Sequence, residues 1–441
     1  MRIIACGDAL FSARNLARRL PRSLVETLAG ADAVFANAEF CCPARTTSPA
    51  PRRFSTAVKP EVLDEFVDLN IRLVSFANNH TGDFGAQGVI DTIEAAEERG
   101  ILSSGIGRSL DEARAAQFLD LPEGRVSLIS AGTTRATEFA ASPAGRGVPA
   151  RPGLNPLRWS RSYVLPDAEF EQLRHIDDLL GTAASRQEVA RIELMKHGGP
   201  DKFAFGSVFE GALQIERGTT AHVRYQMNET DARAILDNVR DAANRSEHVL
   251  LSLHAHEGLN DNWYSPEPAA FIEDFARRAV DAGATAVLGH GPHMLRGIEI
   301  YKGRPIFYSL GSLLMEFEGA ETRMTPEMYE AFGFTRDSLP SQLHMSRVHD
   351  ADGNRVGFYA DPRFAQSCIA ICDFEEGETR IKLVPIDLGL DRPRPSERGL
   401  PGLASPEFGR EIGEAMSRMS APYGTRITYD EVDGTLTVAV A

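Results

Sequence analysis

An α/β fold is predicted by three observations. Short apolar runs alternate with helical patterns over about the first 130 residues and again from Asn228 to Leu288. Five segments place Asp, Glu, Asn or His directly after such a run: Asp8, Glu39, the Asn78–Asn79–His80 triplet, LSLHAH ending at His256, and GHGPH at Gly289–His293. Strands lift such residues to one sheet edge, where carboxylate, amide and imidazole can serve a divalent metal or acid/base chemistry. Finally, 43% hydrophobic and 25% charged residues over 441 positions are ordinary for a soluble globular chain with ample core.

Taken in order, strands are expected at Arg2–Cys6, Ala33–Asn37, Leu73–Ala77 and Val126–Ala131, with helices at Pro60–Leu69 and Gly88–Arg99, the second ended by Gly100. The rhythm breaks from Thr134 to Ile215. Ser142–Pro156 is rich in Pro, Gly and Arg, and Asp167–His197 reads as one or two amphipathic helices broken at Gly181. This helical insertion is read either as a lid or substrate collar or as a plain surface excursion. The α/β pattern returns with a helix at Asn228–Asn244, the strand His248–Leu253, the helix Pro268–Ala282 and the strand Thr285–Leu288.

A hairpin turns at Lys302–Gly303, and Thr322–Arg363 is irregular, with scattered Met, Pro and aromatics. A second hairpin pairs Ser367–Asp373 with Arg380–Pro385. The expected organisation is one domain over 1–390 carrying the insertion 134–215, then 391–441 as a linker with a small helix and hairpin packed on it.

The formal charge of -15, from 47 basic and 62 acidic residues, argues against a general nucleic-acid or anionic-membrane binder. No stretch reaches about 18 uninterrupted apolar residues, so no membrane anchor is expected and the location is read as cytoplasmic. The five cysteines are odd in number with two adjacent, which suits buried, reduced thiols better than disulfides. Walker, HExxH, GxSxG and GxGxxG motifs are missing.

The candidate site residues follow from spacing. Asp8 ends a strand after Gly7, and either serves chemistry or caps a helix. Asn37 and Glu39 share a face at strand spacing. In VSFANNHTGDFG, Asn79 and His80 can ligate a metal and Asp83 can orient an imidazole, or the segment is an Asx-type turn. His254 and His256 stand two residues apart on one face, and His290 and His293 flank a Gly-Pro turn. Four of eleven histidines in two such loops exceed what core packing needs.

These blocks carry a family resemblance. The GD start, NxE, FANNHxxDFGxxG, LHxHE, DAGATAVLGHGPH and GIEIYKGRPIFYSLGS together resemble CapA/PgsA-type proteins of poly-γ-glutamate capsule synthesis, a branch of the calcineurin-like metallophosphoesterase superfamily. The resemblance covers roughly 1–130 and 205–315. It implies two packed β-sheets flanked by helices, with the helical insertion and a C-terminal β extension, and a one- or two-metal site at the strand ends. It implies Asp8 as a ligand of a first metal and Glu39 as the bridging carboxylate. Asn79, His254 and His290 would hold a second metal. His80 would protonate a leaving group and His293 would complete the set; with Asp83 and His256 these are the candidate catalytic residues.

The implied cofactor is a divalent ion (Mn, Zn, Fe or Mg). The usual DxH histidine is Leu10 here, which removes one of about four ligands and argues for one ion or none. The GDxxD block is replaced by NAEF, the final pair is HGPH, and SLGN reads SLGS with Ser312.

Three functions compete. Metal-assisted hydrolysis of a phosphoester or of an amide in a peptide or polyglutamate-type substrate is favoured by the retained ligands. Cofactor-independent peptide epimerisation through Asp8, His80 and His290 is favoured by the incomplete ligand set. A non-catalytic binding module with a residual metal is disfavoured, because decay should remove His80 and Asp83 first and both are present. A small-molecule or peptide substrate is expected, with Arg158 and Arg161 of the insertion holding its anionic groups.

Overall fold

The computed structural model describes all residues except 195–197, 208, 210, 317, 319–321, 376–377 and 441. His197 and the turn of the Ser367–Pro385 hairpin therefore lie outside the described residues. Two sheets face one another, each backed by helices, so the expected α/β architecture of two packed sheets is present.

In the larger sheet the strand Arg2–Leu10 pairs in parallel with Ala33–Ala38, which pairs with Ile71–Ser75, which pairs with Leu102–Ser104. Its other edge pairs antiparallel with Gln366–Glu375, followed by Glu378–Asp387. The short strand Ser312–Met315 joins the far end of Arg2–Leu10 in parallel, with Asp8 opposite Ser312. The smaller sheet centres on His248–His254, between Gly124–Gly132 and Ala286–His290, both parallel to it. Short connections place helices on the outer faces, as parallel pairing demands.

Alternation along each strand then sorts the side chains. Ile3 and Ala5 point inward with Phe35, Leu250, Leu288 and Phe307, forming the layer between the sheets. Ile4, Cys6 and Val34 point outward under the helices Arg22–Ala29 and Gly85–Glu97. Leu251 and Val287 point outward under Glu229–Ala243 and Ala270–Ala282, meeting Ile235 and Phe275. Each fully buried Ile, Val, Leu or Phe among these contributes about 1.5–3 kcal/mol, and those of the middle layer hold the two sheets together. All five cysteines are buried and free.

The insertion is not helical alone. The helices Asp167–Leu179 and Thr182–Ile192 do form, broken at Gly181 with φ 72° as expected. They sit beside a four-stranded sheet ordered Lys202–Phe205, Leu213–Arg217, Trp159–Leu165, His222–Met227. The alternating runs WSRSYVL and HVRYQM favour strands, and the sheet extends past residue 215 to Met227. Phe170, Phe203 and Ile215 give it a small core of its own.

Segment 391–441 does more than lie on the domain. Its helix Pro406–Ser420 contributes Ile412 and Met416 to the core between the sheets, and its hairpin, Thr425–Tyr429 with Leu436–Val440, extends the larger sheet through Ile381 opposite Val438. Among the described residues no helix is long and apolar enough to cross a membrane.

Candidate metal centre

The centre lies between the two sheets at the carboxyl ends of their parallel strands, where side chains from several strands converge. Asp8 reaches it through a register shift. Strict alternation after Ile3 and Ala5 would turn position 8 outward, but the pairing with Ala33–Ala38 slips between Ala5 and Asp8, and the extra residue reverses the parity. Gly7 makes this possible. A Cβ there would lie 1.9 Å from the Gly311 carbonyl oxygen, and the Asp8 amide donates to that same oxygen at 3.0 Å.

On the smaller sheet His254 lies directly opposite His290, both on the inward face with Leu250 and Leu288. The GHGPH turn is wound tightly. Gly291 has φ 125°, a Cβ there would lie 3.1 Å from the Ala255 backbone, and His293 itself has φ 59°. A left-handed non-glycine residue costs of order 1–3 kcal/mol and persists where surrounding structure imposes it. Here it brings His293 Nδ1 to 3.2 Å from Asp8 and 3.6 Å from Glu39.

Two buried ligand groups result: Asp8 with His254 and His290, and Glu39 with His256 and His293, each set of donor atoms mutually within 4.8 Å. Asp8 Oδ1 is 3.4 Å from His290 Nδ1 and 3.8 Å from His254 Nδ1. Glu39 Oε1 is 3.9 Å from a ring nitrogen of each of His80, His254 and His256, so this carboxylate stands between the groups. Asn79 Oδ1 lies 2.8 Å from His254 Nε2. Asn37 donates to Asp8 Oδ1 at 2.9 Å and the Gly291 amide to Oδ2 at 2.9 Å. His290 Nε2 lies 2.7 Å from Ser252 Oγ; a proton held there leaves Nδ1 facing Asp8.

The electrostatics suit a cation. Both Glu39 oxygens, both ring nitrogens of His256 and Nδ1 of His293 are buried without a hydrogen-bond partner among the described residues. Burying a carboxylate so costs several kcal/mol unless a positive charge faces it. Burial, with the nearby charges of Asp8 and Asp83, pushes the Glu39 carboxyl well above its usual range. Burial would raise Asp8 too, but His290 and His293 beside it hold it well below the carboxylate range. Burial, then the neighbouring imidazoles, keeps His254 and His256 far below the ordinary histidine value, hence neutral with lone pairs to give. Carboxylate and neutral imidazole are the donor set a divalent metal takes, so the residues fit the group.

His80 stands on the cavity side. Its Nδ1 lies 2.7 Å from Asp83 Oδ2, its amide donates to Asn78 Oδ1 at 3.0 Å, and its ring is 6.0 Å from that of Phe54. Asp83 in turn accepts from the Thr56 amide at 2.7 Å and lies 3.4 Å from Arg52 Nε. One imidazole nitrogen is thereby fixed and the other left toward Glu39 and the cavity.

The segment after His254 is held by Arg296, which is fully buried and donates to the carbonyls of Ala255, His256, Glu257, Trp263 and Ser265 at 2.9–3.3 Å. Glu257 points away from the centre and accepts from the hydroxyls of Thr133 and Thr134.

The structure thus brings Asp8, Glu39, Asn79, His80, Asp83, His254, His256, His290 and His293 together. Arg158 and Arg161 are not brought there: Arg158 pairs with buried Asp231 at 2.6 Å and Arg161 with Asp261 at 2.5 Å, and neither lines the cavity above the centre. That cavity, of about 720 Å³, is floored by Leu10, Asn79, His80, His256 and His293, and its arginines are Arg52, Arg135, Arg347 and Arg363. Sequence reasoning missed these arginines, together with Asn37 as a partner of Asp8 and Arg296 as the holder of the histidine loop. Only Asn37, by its spacing from Glu39, left a local signal.

A family profile described as "Bacterial capsule synthesis protein PGA_cap" matches residues 2–316. An uncharacterized protein of Sinorhizobium fredii, y4sH, is 33% identical over 443 residues, covering 97% of this chain and 91% of its own length. The capsule biosynthesis protein CapA of Bacillus anthracis is 23% identical over 296 residues, 67% of this chain and 49% of that protein. A phosphatase of Mycoplasma pneumoniae superposes over 88% of both chains at 8% identity with a TM-score of 0.37, a likeness too loose to carry weight. The chain belongs to the PGA_cap capsule synthesis family.

Proposed function

We propose that this member of the capsule synthesis family is a metal-assisted hydrolase acting on a phosphoester or on an amide of a peptide or polyglutamate-type substrate. The observation that carries the reading is the unsatisfied Glu39 carboxylate buried among His80, His254, His256 and His293. Asp8, His254 and His290 would hold one divalent ion and Glu39, His256 and His293 a second, with Asn79 beside the first group. Leu10 supplies no ligand, and His256 and His293 stand in for it. Bound there, a divalent cation supplies Lewis acidity toward the scissile centre and a water acidified toward neutral pH.

The protein's own residues do the rest. His80, fixed through Nδ1 by Asp83, presents Nε2 to the cavity floor and donates the proton that the leaving group needs. Asn37, Ser252 and the Gly291 amide orient the ligands and resist their rotation. The name of the Bacillus anthracis relative, a capsule biosynthesis protein, supports a substrate drawn from the chemistry of a capsule polymer.

Elemental mass spectrometry of the chain purified without chelator tests this. Near two equivalents of metal are expected in the wild type and near one in each of His254→Ala and His256→Ala. A wild type that is folded, metal-free and still hydrolyses substrate in excess EDTA would overturn the reading.

A further inference from the structure

The insertion reaches the centre at its first turn, and through residues other than Arg158 and Arg161. After the strand Gly124–Gly132 the chain enters the short helix Ala136–Phe139. Ala136 and Ala140 are buried, and a Cβ on Gly153 would lie 2.3 Å from the Phe139 carbonyl oxygen, so the helix is seated without slack. Its last side chain is set into the turn that carries the proton donor. A Cβ on Gly82, between His80 and Asp83, would lie 2.2 Å from Phe139 Cδ1, so only glycine lets the ring come this close.

Arg52 joins this contact to Asp83. Its guanidinium lies over the Phe139 ring at 4.6 Å, its Nη1 donates to Glu138 Oε2 at 2.8 Å, and its Nε faces Asp83 Oδ1 at 3.4 Å. Only 11% of the Arg52 side chain is exposed, and none of Asp83. The two carboxylate oxygens are thus divided. Oδ2 takes the His80 ring nitrogen and the Thr56 amide, whereas Oδ1 has no hydrogen-bond partner among the described residues and faces the Arg52 charge. A buried carboxylate needs such a partner. The segment 50–56 does not need the Arg52 side chain to stay in place: the Ala50 amide donates to the Asp83 carbonyl at 2.9 Å and the Thr56 amide to its carboxylate at 2.7 Å.

We infer that Arg52, gripped by Phe139 and Glu138 at the mouth of the insertion, is a positioning residue for the proton donor: it fixes the rotation of the Asp83 carboxylate and, through it, the ring of His80. The inference rests on the hydrolytic reading above and deepens it. A carboxylate free to turn about its Cβ–Cγ bond presents either oxygen to Nδ1 and lets the imidazole swing. One pinned at Oδ1 holds the far ring nitrogen toward Glu39 and the cavity floor. A misplacement of about 1 Å costs on the order of 100-fold in rate, so the pin is felt in turnover. The insertion thereby takes part in catalysis without touching substrate.

Two readings on the full chain loaded with Zn²⁺ test this in Arg52→Met and Phe139→Ala. Gly82→Ala, which pushes the ring away without removing it, replaces either variant if that one fails to fold. Proton NMR follows the downfield Nδ1–H resonance of His80, assigned by its disappearance in His80→Gln. It is expected to be sharp in the wild type and broadened or lost in both variants at unchanged zinc content. Kinetics compare glycerol 2-phosphate, whose alkoxide must be protonated as it leaves, with 4-nitrophenyl phosphate, whose phenolate leaves without a proton. Both variants are expected to lose roughly 10- to 100-fold in kcat on the first ester with KM little changed, and to keep most of their rate on the second. No such resonance in the wild type, or one left sharp in either variant, overturns the inference. So does an equal loss on the two esters, which marks a general structural role. A wild type that cleaves neither ester counts against phosphoester hydrolysis, and the resonance then decides the role of Arg52 by itself.

Discussion

His80 Nδ1 lies 2.7 Å from Asp83 Oδ2, and the carboxylate is itself held by the Thr56 amide and flanked by Arg52. The pair fixes which imidazole nitrogen faces the cavity, and a proton donor must keep both its tautomer and its aim. Asp83→Asn preserves volume and removes the charge. Steady-state kinetics should show kcat reduced about 100-fold with KM within a few-fold of wild type. An unchanged kcat would remove His80 from the proton-transfer role.

Metal should stabilise the fold. Glu39, His256 and His293 are buried with unsatisfied atoms, so an ion that binds only the folded chain offsets their desolvation. At an ion concentration 100 times Kd the gain is about 2.7 kcal/mol. Thermal melts with Mn²⁺ should therefore exceed those in EDTA by several degrees, and His256→Ala should shrink the gap. Identical melting in both buffers would argue that nothing binds there.

Gly7→Ala tests the register shift that aims Asp8. The added Cβ meets a backbone oxygen that cannot swing aside, so one strand must move. A loss of roughly 1–3 kcal/mol in urea unfolding is expected, by the usual cost of overpacking, together with reduced metal content. Full stability and full metal content would mean that the bulge is dispensable.

Arg296→Met leaves the carbonyls of Ala255, His256, Glu257, Trp263 and Ser265 without their donor. Destabilisation of about 3–5 kcal/mol is predicted, as when one partner of a buried charged network is removed. Arg296→Lys should recover only part of it, because an ammonium cannot span five acceptors in a planar fork. Recovery in full by lysine would show that charge alone matters.

His344, on the helix Pro340–Val348, is 3% exposed, and burial with help from Arg347 pushes its imidazole down to about 3. The unfolded chain takes up this proton near pH 6.5 and the folded chain does not. The stabilisation is therefore present above about pH 6.5 and is lost as the pH falls from there toward 3, by up to about 1.4 kcal/mol per pH unit. Urea midpoints at pH 7, 6 and 5 should fall more steeply for wild type than for His344→Leu. Parallel slopes would show that His344 is protonated within the fold.

The α/β rhythm, the two hairpins and the position of nearly every central strand were legible locally, because alternation and helical periodicity record burial residue by residue. So were the nine polar residues of the centre, since each lies near the end of an apolar strand or in the segment that follows it, with a side chain too costly to bury without purpose. The sheet in the insertion was harder to see: its strands are half-buried, and the intervening helices Asp167–Leu179 and Thr182–Ile192 dominate the pattern.

By itself, then, the sequence determined the family, the two-sheet architecture and the candidate ligands, all of which are properties of short segments. Only the tertiary structure decided how those ligands group: His256 and His293 with Glu39, Asp8 with His254 and His290. It also decided what covers them: the stretch expected to be irregular folds in part as the helices Pro326–Ala331 and Pro340–Val348, and Arg347 comes from the second of these and Phe358 and Phe364 from short helical turns after it, while Arg158 and Arg161 are drawn off by Asp231 and Asp261. The reason is geometric. Which side chains share a pocket depends on a one-residue register slip at Asp8 and on the docking of two sheets, and no local spacing encodes a contact between strands from distant parts of the chain.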